Sequence, residues 1–210
     1  KETPSTALRL PKWRDTPTRR RNPAALSATG GFPRAGRPAA EAEPQGAKSA
    51  ESGASGFTSG AASGVTVGLA ITAAQDTGGA GTDILTGIEN LIGSAFDDTL
   101  AGDANANQLD GGDGIDTVSY ADAASAVTVS LAIQDGNAQD TGGGGSDTLA
   151  NFENLTGSAF NDSLTGDDNN NVISGLAGND TLNGGNGDDT LDGGAGSDTA
   201  TYSDAESGVT

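Results

Sequence analysis

Residues 157–201 read GSAFNDSLT GDDNNNVIS GLAGNDTLN GGNGDDTLD GGAGSDTAT, five nine-residue units in one unbroken register. The sixth residue of a unit is Asp162, Asp180, Asp189 or Asp198, with Asn171 in the second unit. The eighth is Leu164, Ile173, Leu182 or Leu191, with Ala200 closing the last. The first six positions are glycine and small polar residues, which suit turns and close backbone approach. The last three then form a short strand with one side chain pointing inward. Two units make a coil of 18 residues, so units n and n+2 stack on one edge about 4.8 Å apart.

The same pattern recurs upstream. From Gly93 it runs three times, as GSAFDDTLA, GDANANQLD and GGDGIDTVS, and single units open at Gly78 and Gly142. A longer repeat encloses these units. Val65-Thr66-Val67-Gly68-Leu69-Ala70 returns as Val127-Thr128-Val129-Ser130-Leu131-Ala132, and begins again at Val209-Thr210. Ile88-Glu89-Asn90-Leu91 returns as Phe152-Glu153-Asn154-Leu155. The reading is a basic, Pro-rich then Ser/Gly/Ala-rich tail and linker over 1–64, one repeat module over 65–126, a second over 127–208, and the start of a third at 209–210. A chain that stops inside a repeat is expected to be part of a longer array.

Composition divides the 210 residues at the same place. All ten basic residues and all seven prolines lie before Ser49, leaving 25 acidic residues and no Lys or Arg in 49–210. The first segment has no apolar period and is expected to be disordered. The triple Arg19-Arg20-Arg21 lacks a following apolar core, so the segment does not read as a secretory signal. With no Cys and no His there is no disulfide, zinc–thiolate site, Ser-His-Asp triad or imidazole ligand. No apolar run is long enough to span a bilayer as a helix. The acidic part repels nucleic-acid backbones.

Stacking places Asp162, Asp180 and Asp198 in one column and pairs Asp98 with Asp116. Carboxylates so close do not all stay ionised without a counterion, and no cationic side chain follows Lys48. The counterion therefore comes from solution. Carboxylate and carbonyl oxygens alone suit a hard cation, and irregular shells built by flexible turns favour Ca2+ over Mg2+.

These units resemble the RTX, or haemolysin-type, calcium-binding nonapeptide G-G-x-G-x-D-x-U-x. The match is full or nearly so at 184–192 and 193–201, and good at 111–119 and 175–183. The resemblance implies an all-β fold made of parallel β-roll stretches, a right-handed calcium-bound β-solenoid, with calcium between successive turns. The residues it implies are Gly111, Gly112, Gly114 and Asp116; Gly175, Gly178 and Asp180; Gly184, Gly185, Gly187 and Asp189; Gly193, Gly194, Gly196 and Asp198. To these it adds Asp83, Asp98, Asp147 and Asp162. It also implies an extracellular protein, typically exported through a type I secretion system. The GSAF turns at Gly93 and Gly157 lack the second and fourth glycines, and Asn107 and Asn171 replace the acid, so weaker sites are expected there. Whether the coil passes through the inserts 87–92 and 151–156 stays open.

Other signals point elsewhere or nowhere. Asp167, Asn169 and Asn171 have EF-hand spacing, but Val172 stands where that loop needs Gly. Tyr120 and Tyr202 read as hydrophobic caps rather than carbohydrate contacts, and Glu89 and Glu153 as local turn residues. Neither G-x-S-x-G nor a phosphate-binding loop occurs, so these residues are not expected to be an enzyme. The expected function is calcium binding by a secreted repeat protein that folds outside the cell, within an adhesive or structural array. The alternative is the secretion and folding module of an exoenzyme or toxin.

Overall fold

The structure is a computed structural model and describes residues 61–203; the tail, most of the linker and the repeat start at Val209 lie outside them. Sixteen short strands and no helix form the described residues. In the first half these are β1 (Thr66–Gly68), β2 (Gln75–Asp76), β3 (Thr82–Asp83), β4 (Asn90–Ile92), β5 (Thr99–Ala101), β6 (Gln108–Asp110) and β7 (Thr117–Ser119). There follow β8 (Thr128–Ser130), β9 (Gln139–Gly142), β10 (Gly145–Ala150), β11 (Asn154–Thr156), β12 (Ser163–Thr165), β13 (Val172–Ser174), β14 (Thr181–Asn183), β15 (Thr190–Asp192) and β16 (Thr199–Ala200).

Most strands are the last three residues of a nonad, and their stacking is parallel. β12 pairs β14 with Leu164 opposite Leu182, and β13 pairs β15 with Ile173 opposite Leu191, each an 18-residue step. One parallel sheet runs β1-β5-β7-β11-β13-β15 through both long repeats. On the other side lie β4-β6-β10-β9 and β8-β12-β14-β16. This is a parallel β-roll. A nonad strand gives the core one apolar side chain, as Leu100, Leu109, Val118, Leu164, Ile173 and Leu182 do, and Val65, Leu85, Ile88, Val127, Leu131 and Phe152 add to it from outside the strands. So little apolar area per coil makes burial a modest stabiliser on its own.

The inserts do not break the coil. Asn90–Ile92 and Asn154–Thr156 are strands β4 and β11, and Leu91 and Leu155 fill the core position. The turn Asn151-Phe152-Glu153 has three residues where a nonad has six, yet β11 pairs β7 on one side and β13 on the other.

The isolated units at Gly78 and Gly142 differ from the roll turn expected of them. Each contributes to an antiparallel hairpin, β2 with β3 and β9 with β10. A single unit has no like neighbour nine residues away, so its glycines close the chain on the preceding strand instead. Glutamines secure these edges. Gln139 receives the Ser130 N–H at 2.8 Å and donates to the Ser130 carbonyl at 3.0 Å. Gln75 does the same for Gly68, both at 2.9 Å.

Candidate metal centre

Each nonad turn folds its sixth residue back over its first. Where that residue is Asp116, Asp180, Asp189 or Asp198, its Oδ1 atom accepts a backbone N–H from the neighbouring coil. Asp98 donates to Asp116 at 2.7 Å, Asp162 to Asp180 at 2.8 Å, and Asp180 to Asp198 at 3.0 Å. Asn171 donates to Asp189 at 2.9 Å. These bonds form two acidic ladders along the roll. One rises Asp98, Asp116, Glu153, Asn171, Asp189; the other rises Asp162, Asp180, Asp198.

The second carboxylate oxygen separates the turns into two kinds. In the GSAF turns it is satisfied within its own turn. The Ser158 N–H donates to Asp162 Oδ2 at 2.6 Å, and the Ser158 hydroxyl donates to Oδ1 at 2.7 Å. Ser94 donates to Asp98 in the same way, from its N–H to Oδ2 and from its hydroxyl to Oδ1. In turns 102–107 and 166–171 the amide oxygen of Asn107 or Asn171 accepts the position-two N–H, each at 2.8 Å.

In turns 111–116 and 175–180 the second position is instead left-handed, with φ of 97° at Gly112 and 73° at Leu176. No N–H of the same turn reaches Oδ2 there. Asp116 and Asp180 are 0% and 1% exposed, and Oδ2 of each has no hydrogen-bond partner. An orphaned buried carboxylate oxygen costs on the order of 1–3 kcal/mol, more when charged. Burial, with Asp98 and Glu153 nearby, raises the Asp116 pKa from 3.8 to about 6. Burial, with Asp162 and Asp198, also raises that of Asp180.

The surroundings of these two oxygens are rich in carbonyls. A Cβ placed on Gly175 would meet both Asp180 Oδ2 and the Gly193 carbonyl oxygen, the latter at 2.8 Å. One on Gly111 would meet Asp116 Oδ2 at 2.8 Å and collide with the Asn151 carbonyl oxygen. Glycine at these places lets a carbonyl of the next coil come close to the carboxylate, as it also does at Gly93 and Gly157; what sets Asp116 and Asp180 apart is the unpartnered Oδ2. Among the described residues no three acidic side chains gather at one point. The donor set is therefore one or two carboxylates plus backbone oxygens, all hard and with no nitrogen or sulfur, as a calcium ion requires. Asp116 and Asp180 would hold the ion; the charge it supplies offsets the buried carboxylates.

The other sequence-derived positions fall differently. Asp189 is half-buried and Asp198 exposed, on the outermost described coils of their ladders. In those turns Gly185, Gly187, Gly194 and Gly196 pack against the backbone of the coil beneath, as Gly114 and Gly178 do in the 111–116 and 175–180 turns, whereas Gly184 and Gly193 lie under the side chains of Asp189 and Asp198. Asp83 sits in the first hairpin, outside the ladders; Asp147 sits in the second, but its Oδ1 accepts the N–H of the sixth residue of the coil beneath as a ladder acid does, and Thr148–Ala150 stack in parallel on β6. Asp83 Oδ2 accepts the Thr77 hydroxyl at 2.8 Å. Asp147 accepts the Asn107 N–H at 3.0 Å, the Tyr120 hydroxyl at 3.0 Å and the Thr141 hydroxyl at 3.5 Å. Burial raises the Asp147 pKa to about 6 against the pull of those donors. Tyr120 is thus a buried donor to a carboxylate, whereas Tyr202 is 54% exposed. Sequence reading missed the serine at position two as a switch between turn types, although GSAF occurs twice.

The model of the RTX calcium-binding nonapeptide repeat (4 copies) matches residues 85–118, 151–182 and 165–200. No curated protein matches the chain. The matched segments carry both orphaned carboxylates and the ladders that hold them. Over residues 85–118 and 151–200 the chain belongs to the family of RTX calcium-binding nonapeptide repeats, and calcium is the ion of those repeats.

Proposed function

We propose that the chain is a calcium-folded roll that works outside the cell as part of an adhesive or structural array. The observation that carries this reading is the pair of buried, unpartnered carboxylate oxygens at Asp116 and Asp180, in a region with no Lys or Arg. Without a cation, repulsion along the ladders opposes a core to which a nonad strand gives one apolar residue. With calcium, binding energy becomes folding energy. Cytosolic calcium is too scarce to fill weak sites, so the chain stays unfolded and competent for type I export. The exterior, at roughly millimolar calcium, fills them. Specific sites are Asp116 and Asp180 with the carbonyls facing them, and weaker ones at Asp189 and Asp198.

The array role is supported by the single sheet that joins both long repeats through the β7–β11 pair. Stacking that continues across repeats suits a load-bearing rod. The test is calcium-dependent refolding of the chain followed by adhesion of coated beads to cell surfaces or glycans. Folding without any adhesion would favour a secretion and folding module.

A further inference from the structure

The nonapeptide motif places a site between two six-residue turns. The short turn Asn151-Phe152-Glu153 belongs to no nonad, yet it lies against the open face of Asp116. The Asp116 N–H donates to Glu153 Oε2 at 2.8 Å, so Glu153 occupies the acid position of the ladder. The Asn151 carbonyl oxygen stands over Gly111, where the Gly193 carbonyl stands over Gly175 in the other orphaned turn. Asp116 Oδ2, wholly buried and without a partner, lies at the same glycine.

The short turn is fixed at every residue. Asn151 has φ of 55°, and its side-chain amide donates to Asp110 Oδ1 at 2.7 Å. Phe152 is buried, and Gln134 clamps its N–H and carbonyl, each at 2.8 Å. The carbonyl facing Asp116 is therefore held in place before any ligand arrives, which lowers the ordering cost of binding.

We propose that Asp116, the Asn151 carbonyl and Glu153 form a calcium site at the junction of the two long repeats, with the three-residue turn replacing a nonad as its second half. Two carboxylates balance one divalent cation there. This rests on the calcium-folded reading above, and it assigns Glu153 as a ligand rather than a turn residue. A calcium ion there would add a metal bridge to the β7–β11 pairing that joins the two repeats.

The test is calcium counting by equilibrium dialysis on the full 210-residue chain, native and as Glu153→Gln. Glutamine keeps an acceptor for the Asp116 N–H and removes the charge. The expected result is one calcium fewer per chain, or a junction affinity at least tenfold weaker, with Asp180→Asn additive to it. An unchanged count and affinity in Glu153→Gln would overturn the junction site while leaving calcium folding intact. No calcium bound by the native chain would overturn both. Should Glu153→Gln fail to fold, a terbium-loaded crystal of the native chain decides. An anomalous peak bonded to Asp116 Oδ2 and the Asn151 carbonyl supports the site. Peaks confined to the 175–180 turn overturn it.

Discussion

Turns 157–162 and 175–180 sit one coil apart on the same ladder, and they handle the same buried carboxylate in opposite ways. In the first, Ser158 gives Asp162 an N–H and a hydroxyl, so the acid is satisfied by the protein. In the second, Leu176 turns left-handed, no N–H of the turn reaches Oδ2, and Asp180 Oδ2 is buried without a partner. The pair 93–98 and 111–116 repeats the contrast on the other ladder. Serine-capped turns fold on internal hydrogen bonds, whereas turns 111–116 and 175–180 leave one buried carboxylate oxygen without a donor, which on the proposed reading is available to a cation. Alternating them lets a short roll carry metal sites without making every rung depend on metal.

The largest break in this contrast comes from Asp180→Ala. It removes a metal-facing oxygen and the acceptor for the Asp162 N–H together. Calcium affinity should fall at least about tenfold, near or above 1.4 kcal/mol. Asp167→Ala should change it less than about threefold, because that carboxylate caps the exposed Asn169 N–H at 2.8 Å and Asn171. Calorimetric titration of both variants decides, and equal effects would remove the distinction.

Asp147 offers a third condition, a buried acid satisfied by hydroxyls. Tyr120→Phe strips its closest side-chain donor and should cost about 1–3 kcal/mol in calcium-saturated denaturant unfolding. A neutral result would mean that Thr141 and the Asn107 N–H suffice.

Protons and calcium should compete at the orphaned turns. Asp116 is raised from 3.8 to about 6 in the calcium-free fold, so that fold holds a proton that the unfolded chain has released. The resulting stabilisation is complete below about pH 4 and is lost as pH rises through about 6. In chelator, the β signal should therefore be stronger near pH 4 than at pH 7. With calcium present, affinity should weaken as pH falls below about 6. A calcium affinity independent of pH between 5 and 7 would contradict this.

The smallest expected effect is at the capped turn. Ser158→Ala deletes the hydroxyl bond to Asp162 and keeps the N–H, for a loss of about 1 kcal/mol with no calcium lost from the count. A lost calcium would show that the capped turns bind metal too.

Much of the roll was legible because its signal is local and repeated. Apolar residues such as Leu164 and Leu182 at position eight, 18 residues apart, specify both strand and stacking partner. The ladders followed from the same period through Asp162, Asp180 and Asp198. What escaped was contact without periodicity. The turn before β11 has three residues rather than six, so a nine-residue register skips it although Leu155 fills the core. The hairpins at Gly78 and Gly142 match the motif in composition. Their direction is set by pairing with the strand before them and by Gln75 and Gln139, whose side chains reach seven and nine residues back to the backbone of the preceding segment. The orphaned oxygens depend on whether position two is left-handed, and Leu176 adopts that conformation without being glycine.

On the proposed reading, buried carboxylates keep the roll unfolded until calcium arrives. Far-ultraviolet circular dichroism of the chain through a calcium titration, with magnesium in parallel, tests it most directly. The expected result is a coil-to-β transition near millimolar calcium and none with magnesium. A full β spectrum in chelator at pH 7, unchanged by calcium, would contradict it.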